Sequence, residues 1–194
     1  MNYGQLKAAV KGYLHRTDVD PMMPTFLALA EQRIYKGEAN SSALRVSAML
    51  KPAELVDGIV PADFLHAKRV SVAGDERKTL EYRPLSDVAT SCGAYSWQGA
   101  LMVLGPHQTF PLDLLYYAKF GELTDDASSN WLLTNAPNVY LTSMLVEAAR
   151  WARDDALGIR EASNYASAVE SLLSADRAAQ ISGSVLRMKV KNAR

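Results

Sequence analysis

The chain contains a single cysteine, Cys92, in 194 residues. That excludes an internal disulfide and a zinc site built from cysteines. It predicts a protein made and kept in a reducing compartment, or in a particle assembled there. Long apolar runs are missing as well. Stretches such as Ala100–Leu104 fall far short of the roughly 20 residues needed to span a bilayer, so no membrane association is expected. Polar residues interrupt the opening Met-Asn-Tyr-Gly-Gln-Leu-Lys, so no secretory signal is predicted. Net charge is absent too. Lys+Arg and Asp+Glu number 21 each, which leaves no global field directed at nucleic acid or an anionic surface.

What remains is an ordinary globular composition, 48% hydrophobic and 22% charged. The length suits one domain or two small ones and suffices for a core without covalent staples. The charge does have a local pattern. Arg187, Lys189, Lys191 and Arg194 fall within residues 182–194, which hold no acid, so the rest of the chain carries 17 basic against 21 acidic residues. A mildly acidic body ends in a basic tail.

Periodicity divides the chain into a helical half and a strand-rich half. Tyr3, Leu6, Val10, Tyr13 and Leu14 form a helical stripe with Asn2 as N-cap. Pro21 and Pro24 precede a second stripe of Phe26, Leu29, Ala30, Arg33 and Ile34 that ends near Gly37. From about residue 41 the period drops to two. Leu44–Leu50, Gly58–Val60, Ala67–Val72, Thr79–Arg83, Ala94–Trp97, Ala100–Leu104 and Leu112–Lys119 are the expected strands. Gln98-Gly99 reads as a tight hairpin and Ser86–Thr90 as one helical turn. After a loop at Thr124–Asn130, Asn135 is expected to cap a third helix bearing Tyr140, Met144, Leu145, Ala148, Trp151 and Ala152. Asp154, Asp155 and Gly158 mark a turn. A fourth helix follows from Arg160 to Ala179, with Tyr165, Ala168, Val169, Leu172, Leu173 and Ala175 inward, and Gly183 stops it. The expected fold is α+β. A discontinuous four-helix domain (residues 1–40 and 130–181) carries an inserted antiparallel β domain (residues 41–129), and an extended C-terminal arm follows.

The sequence carries no catalytic or cofactor-binding motif. The phosphate-cradling, nucleophile-elbow and zinc-protease signatures are all missing. His15, His66 and His107 lie far apart, and none has a second ligand at metal spacing, so surface or structural roles are expected and neither metal nor cofactor is predicted. Nothing motivates a triad joining Cys92 to one of them. Asp125-Asp126 and Asp154-Asp155 could offer carboxylates for metal or acid–base work, but capping of nearby helix ends explains them more simply. Asp18 and Asp20 are read as helix-entry residues, and Arg150 and Arg153 as an exposed helix end. Tyr116-Tyr117, Trp97, Trp131 and Tyr140 could stack on bases. No basic cluster interleaves with them, so packing is the expected role.

The tail differs from everything before it. Leu186, Met188 and Val190 alternate with Arg187, Lys189 and Lys191, which puts the apolar side chains on one side of an extended strand. Thirteen extended residues reach roughly 43–47 Å. These six residues are the expected partner-binding arm, acting by strand addition or groove insertion.

Several segments carry a resemblance. The chain opens Tyr3-Gly4-Gln5-Leu6-Lys7 and continues through Leu14-His15-Arg16-Thr17-Asp18 to Pro24-x-Phe26-Leu27-Ala28-Leu29-Ala30-Glu31-x-Arg33-Ile34. Val60-Pro61-Ala62-Asp63-Phe64-Leu65, Leu80-Glu81-Tyr82 and Leu114-Leu115-Tyr116-Tyr117 follow. Asn130-Trp131-Leu132-Leu133, Pro137-x-Val139-Tyr140-Leu141 and Ala175-Asp176-Arg177-Ala178-Ala179 with Ser182-Gly183-Ser184 complete the series. In this order they resemble the head-to-tail adaptor (connector) proteins of tailed bacteriophages, particularly short-tailed ones. The resemblance implies a non-enzymatic ring of identical subunits, usually twelve, at the head–tail junction of a virion assembled in the host cytoplasm. It implies contact with the portal protein, often through the C-terminal arm, and with tail or nozzle proteins on the other face. Viral DNA would pass through the ring without sequence-specific binding. Two other readings remain open at this point: another virion component such as a tail-tube or nozzle subunit, and an enzyme with a pocket in the β insert.

Overall fold

The computed structural model describes residues 1–38 and 40–182, and the fold is α+β. Helices α1 (Tyr3–Leu14) and α2 (Met23–Lys36) come first. Strands β1 (Leu50–Leu55), β2 (Phe64–Val72), β3 (Asp75–Thr79) and β4 (Glu81–Tyr82) follow, then the short helix α3 (Leu85–Val88). Strands β5 (Ala94–Gln98), β6 (Leu101–Leu104) and β7 (Leu112–Ala118) precede helices α4 (Trp131–Asn135), α5 (Pro137–Ala152) and α6 (Asp155–Ile181). The described chain forms two compact units. One combines Met1–Gln5 with Arg45–Asn135, and the other combines Leu6–Leu44 with the chain from Ala136 onward.

In the first unit, four strands form a sheet in the order β1-β7-β2-β3. The two-residue period of β7 explains its central place. Leu112, Leu114, Tyr116 and Ala118 are buried, while Asp113, Leu115 and Tyr117 look outward and are half-buried. The inward set meets Leu55, Val70, Leu80, Tyr95 and Met102 in one apolar core. A second sheet runs β4-β5-β6. Strands β5 and β6 make the expected hairpin, with Gln98 opposite Leu101 and a two-residue loop between them. Strand β4, however, runs parallel to β5, so this sheet is mixed and not wholly antiparallel. The cause is the connection: α3 lies between the two strands and returns the chain to the same direction. Backbone bonds from Tyr3 to Ser128 and from Gly4 to Asp126 bring the first residues into this unit.

Several expected strands changed form. Leu44–Leu50 is no strand: Leu44, Val46 and Met49 are buried, but Ser47–Met49 winds into a 3-10 turn that breaks the period-two phase before β1. Gly58–Val60 is reduced to a single bridge between Ile59 and Leu101. Thr79–Arg83 is split at buried Leu80, with β3 and β4 going to different sheets.

In the second unit α5 packs against both α2 and α6. The Asn2 and Gln5 side chains reciprocally bond each other's backbone N–H at the start of α1, as expected of an N-cap. Helix α2 ends where Gly37 adopts φ 76°, and a Cβ there would meet the Ala43 nitrogen at 2.6 Å. Asn135 does not cap the third helix. Its side chain bonds back to Trp131 O, and it is Asn130 that receives the Leu133 N–H and caps α4. Asp154 is the N-cap of α6, so the Asp154–Gly158 segment is the first turn of a 27-residue helix and not a turn before it. Tyr165, Ala168, Val169 and Leu173 are buried as expected, but Leu172 is only half-buried and Ala175 is exposed.

Gly105 has no room for a side chain: an added Cβ would lie 2.1 Å from Ser91 O and 3.1 Å from Val88 O. Gly105→Ala is therefore expected to cost about 1–3 kcal/mol through forced backbone shifts. Urea denaturation checks this, and an unchanged midpoint would contradict the crowding.

Candidate functional site

The strongest concentration of polar side chains lies in the helical unit around Arg33. Its position on the α2 stripe, between Ala30 and Ile34, carries it inward, and only 4% of its side chain is exposed. One terminal nitrogen donates to Ser143 O at 3.0 Å, the other to Glu147 Oε1 at 2.5 Å, and Nε lies 2.7 Å from Glu38 Oε1. The guanidinium also stands 5.9 Å from the centre of the Tyr165 ring. One cation thus ties α2 to α5, to α6 and to the loop after α2. Glu147 is as buried as Arg33 and takes a second partner, Arg150, at 3.1 Å.

The loop after α2 is closed by two backbone bonds between Glu38 and Ser41. Between this loop and α6 lies an open groove of about 750 Å³, lined by Glu38, Asn40, Ser41, Ala166, Val169 and Glu170 among others. It continues into a second hollow of about 640 Å³ that reaches Ile159, Ala162 and Tyr165. Small side chains make the space: Ser163, Ser167, Ser171 and Ser174 follow one another along α6. Burial pushes the Tyr165 phenol up to about 12, against the lowering effects of Ser41 and Arg33.

A second polar cluster sits in the β unit. The Tyr116 hydroxyl donates to Asp63 at 2.9 Å, and Lys51 bonds the other carboxylate oxygen at 2.6 Å. Burial raises the Asp63 carboxyl, but the bonds from Lys51 and Tyr116 outweigh it and hold the group below its usual range. Burial, then the Asp63 bond, pushes Tyr116 up to about 12.

The residues singled out in the sequence are not brought together. Cys92, His15, His66 and His107 are all exposed and lie on different segments. Asp125 accepts the Ala127 N–H in its own turn, Asp154 caps α6, Asp18 pairs with Arg16 and Asp20 with Lys11. Trp97 packs on Phe64 and Tyr95, Trp131 stacks on Phe120, and Tyr140 is buried with its hydroxyl on Glu31, so these aromatics serve packing. Among the described residues no cluster of His, Cys, Asp and Glu could hold a metal ion. The arm residues Leu186, Arg187, Met188, Lys189, Val190 and Lys191 lie outside the described residues. The Arg33 cluster was not singled out as a site. Its signal was a lone cation on an apolar helical stripe.

Glu147→Ala should leave Arg33 buried with too little countercharge and cost about 3–5 kcal/mol, read as a lowered denaturation midpoint. Paired replacement with Arg33→Met and Glu147→Leu should recover much of that loss. The two raised phenols predict an alkaline transition. Their folded-state values exceed the unfolded value near 10, so their contribution is complete below pH 10 and is lost as pH rises towards 12. The Tyr116→Phe, Tyr165→Phe double variant should flatten that loss in alkaline unfolding followed by tyrosinate absorbance. An identical transition would assign it to other groups.

Comparison with curated proteins found no match. Of protein families, the one described as SU10 adaptor protein matches residues 1–188, nearly the whole chain, and the protein belongs to that family of phage head-to-tail adaptors.

Proposed function

We propose that this protein is a structural subunit of a phage virion that joins the portal to the tail as a closed ring of identical copies, twelve in number, around the DNA channel. The observation that carries the reading is the family match over residues 1–188. The local chemistry supports it. Arg33, Glu38, Glu147 and Asp154 are engaged in a buried ion network and a helix cap, which fits a subunit that works through its surfaces. No described helix is long and apolar enough to cross a membrane. The ring would sit at the head–tail junction, assembled in the host cytoplasm, with tail or nozzle proteins on the face away from the portal. Residues 186–191 would act as the arm that reaches a partner chain. Their basic side opposes the acidic excess of the body and steers encounter before contact.

Light scattering on the protein alone and with its cognate portal tests the ring directly. The expected assembly has twelve times the 21.2 kDa subunit mass. Persistence of the monomer in both conditions would overturn the reading. Single alanine substitutions at Cys92, His15, His66 and His107 should leave particle assembly near normal. Replacing Leu186, Met188 and Val190 with serine should leave the thermal midpoint nearly unchanged and weaken portal binding at least about tenfold, the effect of losing about 1.4 kcal/mol.

A further inference from the structure

Resting on the ring reading, we propose that the groove between the Glu38–Ser42 loop and α6 is the seat for residues 186–191 of a second copy of this chain. Length is the first argument. From Ile159 to Ser174 the groove-lining face of α6 extends about 22 Å at helical rise, and six extended residues cover about 20 Å. Residues 183–194 reach roughly 40 Å when extended, enough to leave one subunit and enter the next.

Charge is the second argument. Glu38 and Glu170, paired with Arg33 and Arg177 but still 46% and 64% exposed, line the groove; its described lining holds no lysine or arginine, while the segment brings Arg187, Lys189 and Lys191. The third is the floor. Ile159, at 75% the most exposed large apolar side chain of the described residues, stands at one end, with Ala162 and Ala166 along the helix. Leu186, Met188 and Val190 would cover them. The Tyr165 and Ser41 hydroxyls are both buried without a hydrogen-bond partner among the described residues, and both residues line this space.

The alternative seat for an alternating strand is a sheet edge, and the body offers poor ones. Edge strand β1 carries Pro52, which lacks a donor. Edge strand β3 is Asp-Glu-Arg-Lys-Thr, charged along its length, and β4 has two residues. Edge strand β6 is already bonded through Met102 N to Gly58 O. An arm and a groove on each copy form a heterologous contact, the kind that builds a ring when the rotation between copies closes.

The test uses two full-length variants. In the arm variant, Leu186, Met188 and Val190 are changed to serine; in the groove variant, Glu170→Lys and Ser171→Arg fill and recharge the exposed wall. Each alone should lose self-association, whereas their mixture should give a heterodimer of twice 21.2 kDa, because each supplies what the other lacks. A mixture that stays monomeric while the unaltered chain still forms rings overturns the groove assignment and leaves the ring reading standing. An independent measurement uses a fluorescent peptide of residues 184–194. It should bind the full-length arm variant and bind at least tenfold more weakly when the groove substitutions are added. Equal binding to both, or binding to the portal alone, also overturns the assignment. If the unaltered chain forms no ring even with the portal, the ring reading falls, and the peptide measurement alone decides the groove.

Discussion

The helical unit depends on one buried cation. Arg33 has given up water on nearly its whole side chain, and it persists there because Glu147, Glu38 and the Ser143 carbonyl replace that water at once. The planar guanidinium is suited to this, since its donors point in fixed directions and reach three elements together. A lysine at the same position could satisfy one carboxylate but not hold a loop and two helices in register. The loop that shapes one wall of the α6 groove is thus placed by the same interaction that joins α2 to α5. Groove and helix packing are not separable properties.

The β unit reaches order by a different route. Its core is a cluster of aliphatic side chains around Leu112, Leu114 and Met102, extended by ring contacts from Tyr82 to Tyr95, Trp97, Phe64 and Tyr116. Edge-to-face and tilted rings of this kind add modest directional energy to area burial. The one polar cluster, Asp63 with Tyr116 and Lys51, sits at the margin of that core, where solvent reduces the cost of its charges. In the helical unit a buried ion network sets the geometry; here shape does.

The division of the chain into helix and strand was legible because the period of its apolar residues changes from 3.6 to 2 and back. The Asn2 cap and the Gln98-Gly99 hairpin could be read for the same reason: local chemistry decides both. What escaped were features decided by distant partners. The parallel pairing of β4 depends on where α3 returns the chain, and alternation cannot reveal direction. Asn135 has the composition of a cap, yet Asn130, five residues earlier, had an N–H to receive and takes that role for α4. Arg33 lay on the predicted stripe, but its carboxylate partners are 5 and 114 positions away, and only folding makes them neighbours.

Helix α6 gives the subunit a mechanical property. Its last buried residue is Leu173, and from there to Ile181 the axis runs about 12 Å. It is a stiff rod gripped at one end. A tilt of about 5° at Leu173 sweeps the tip by about 1 Å, more than the spread of hydrogen-bond lengths. A small change in how α6 seats on α5 is therefore enlarged at its far end.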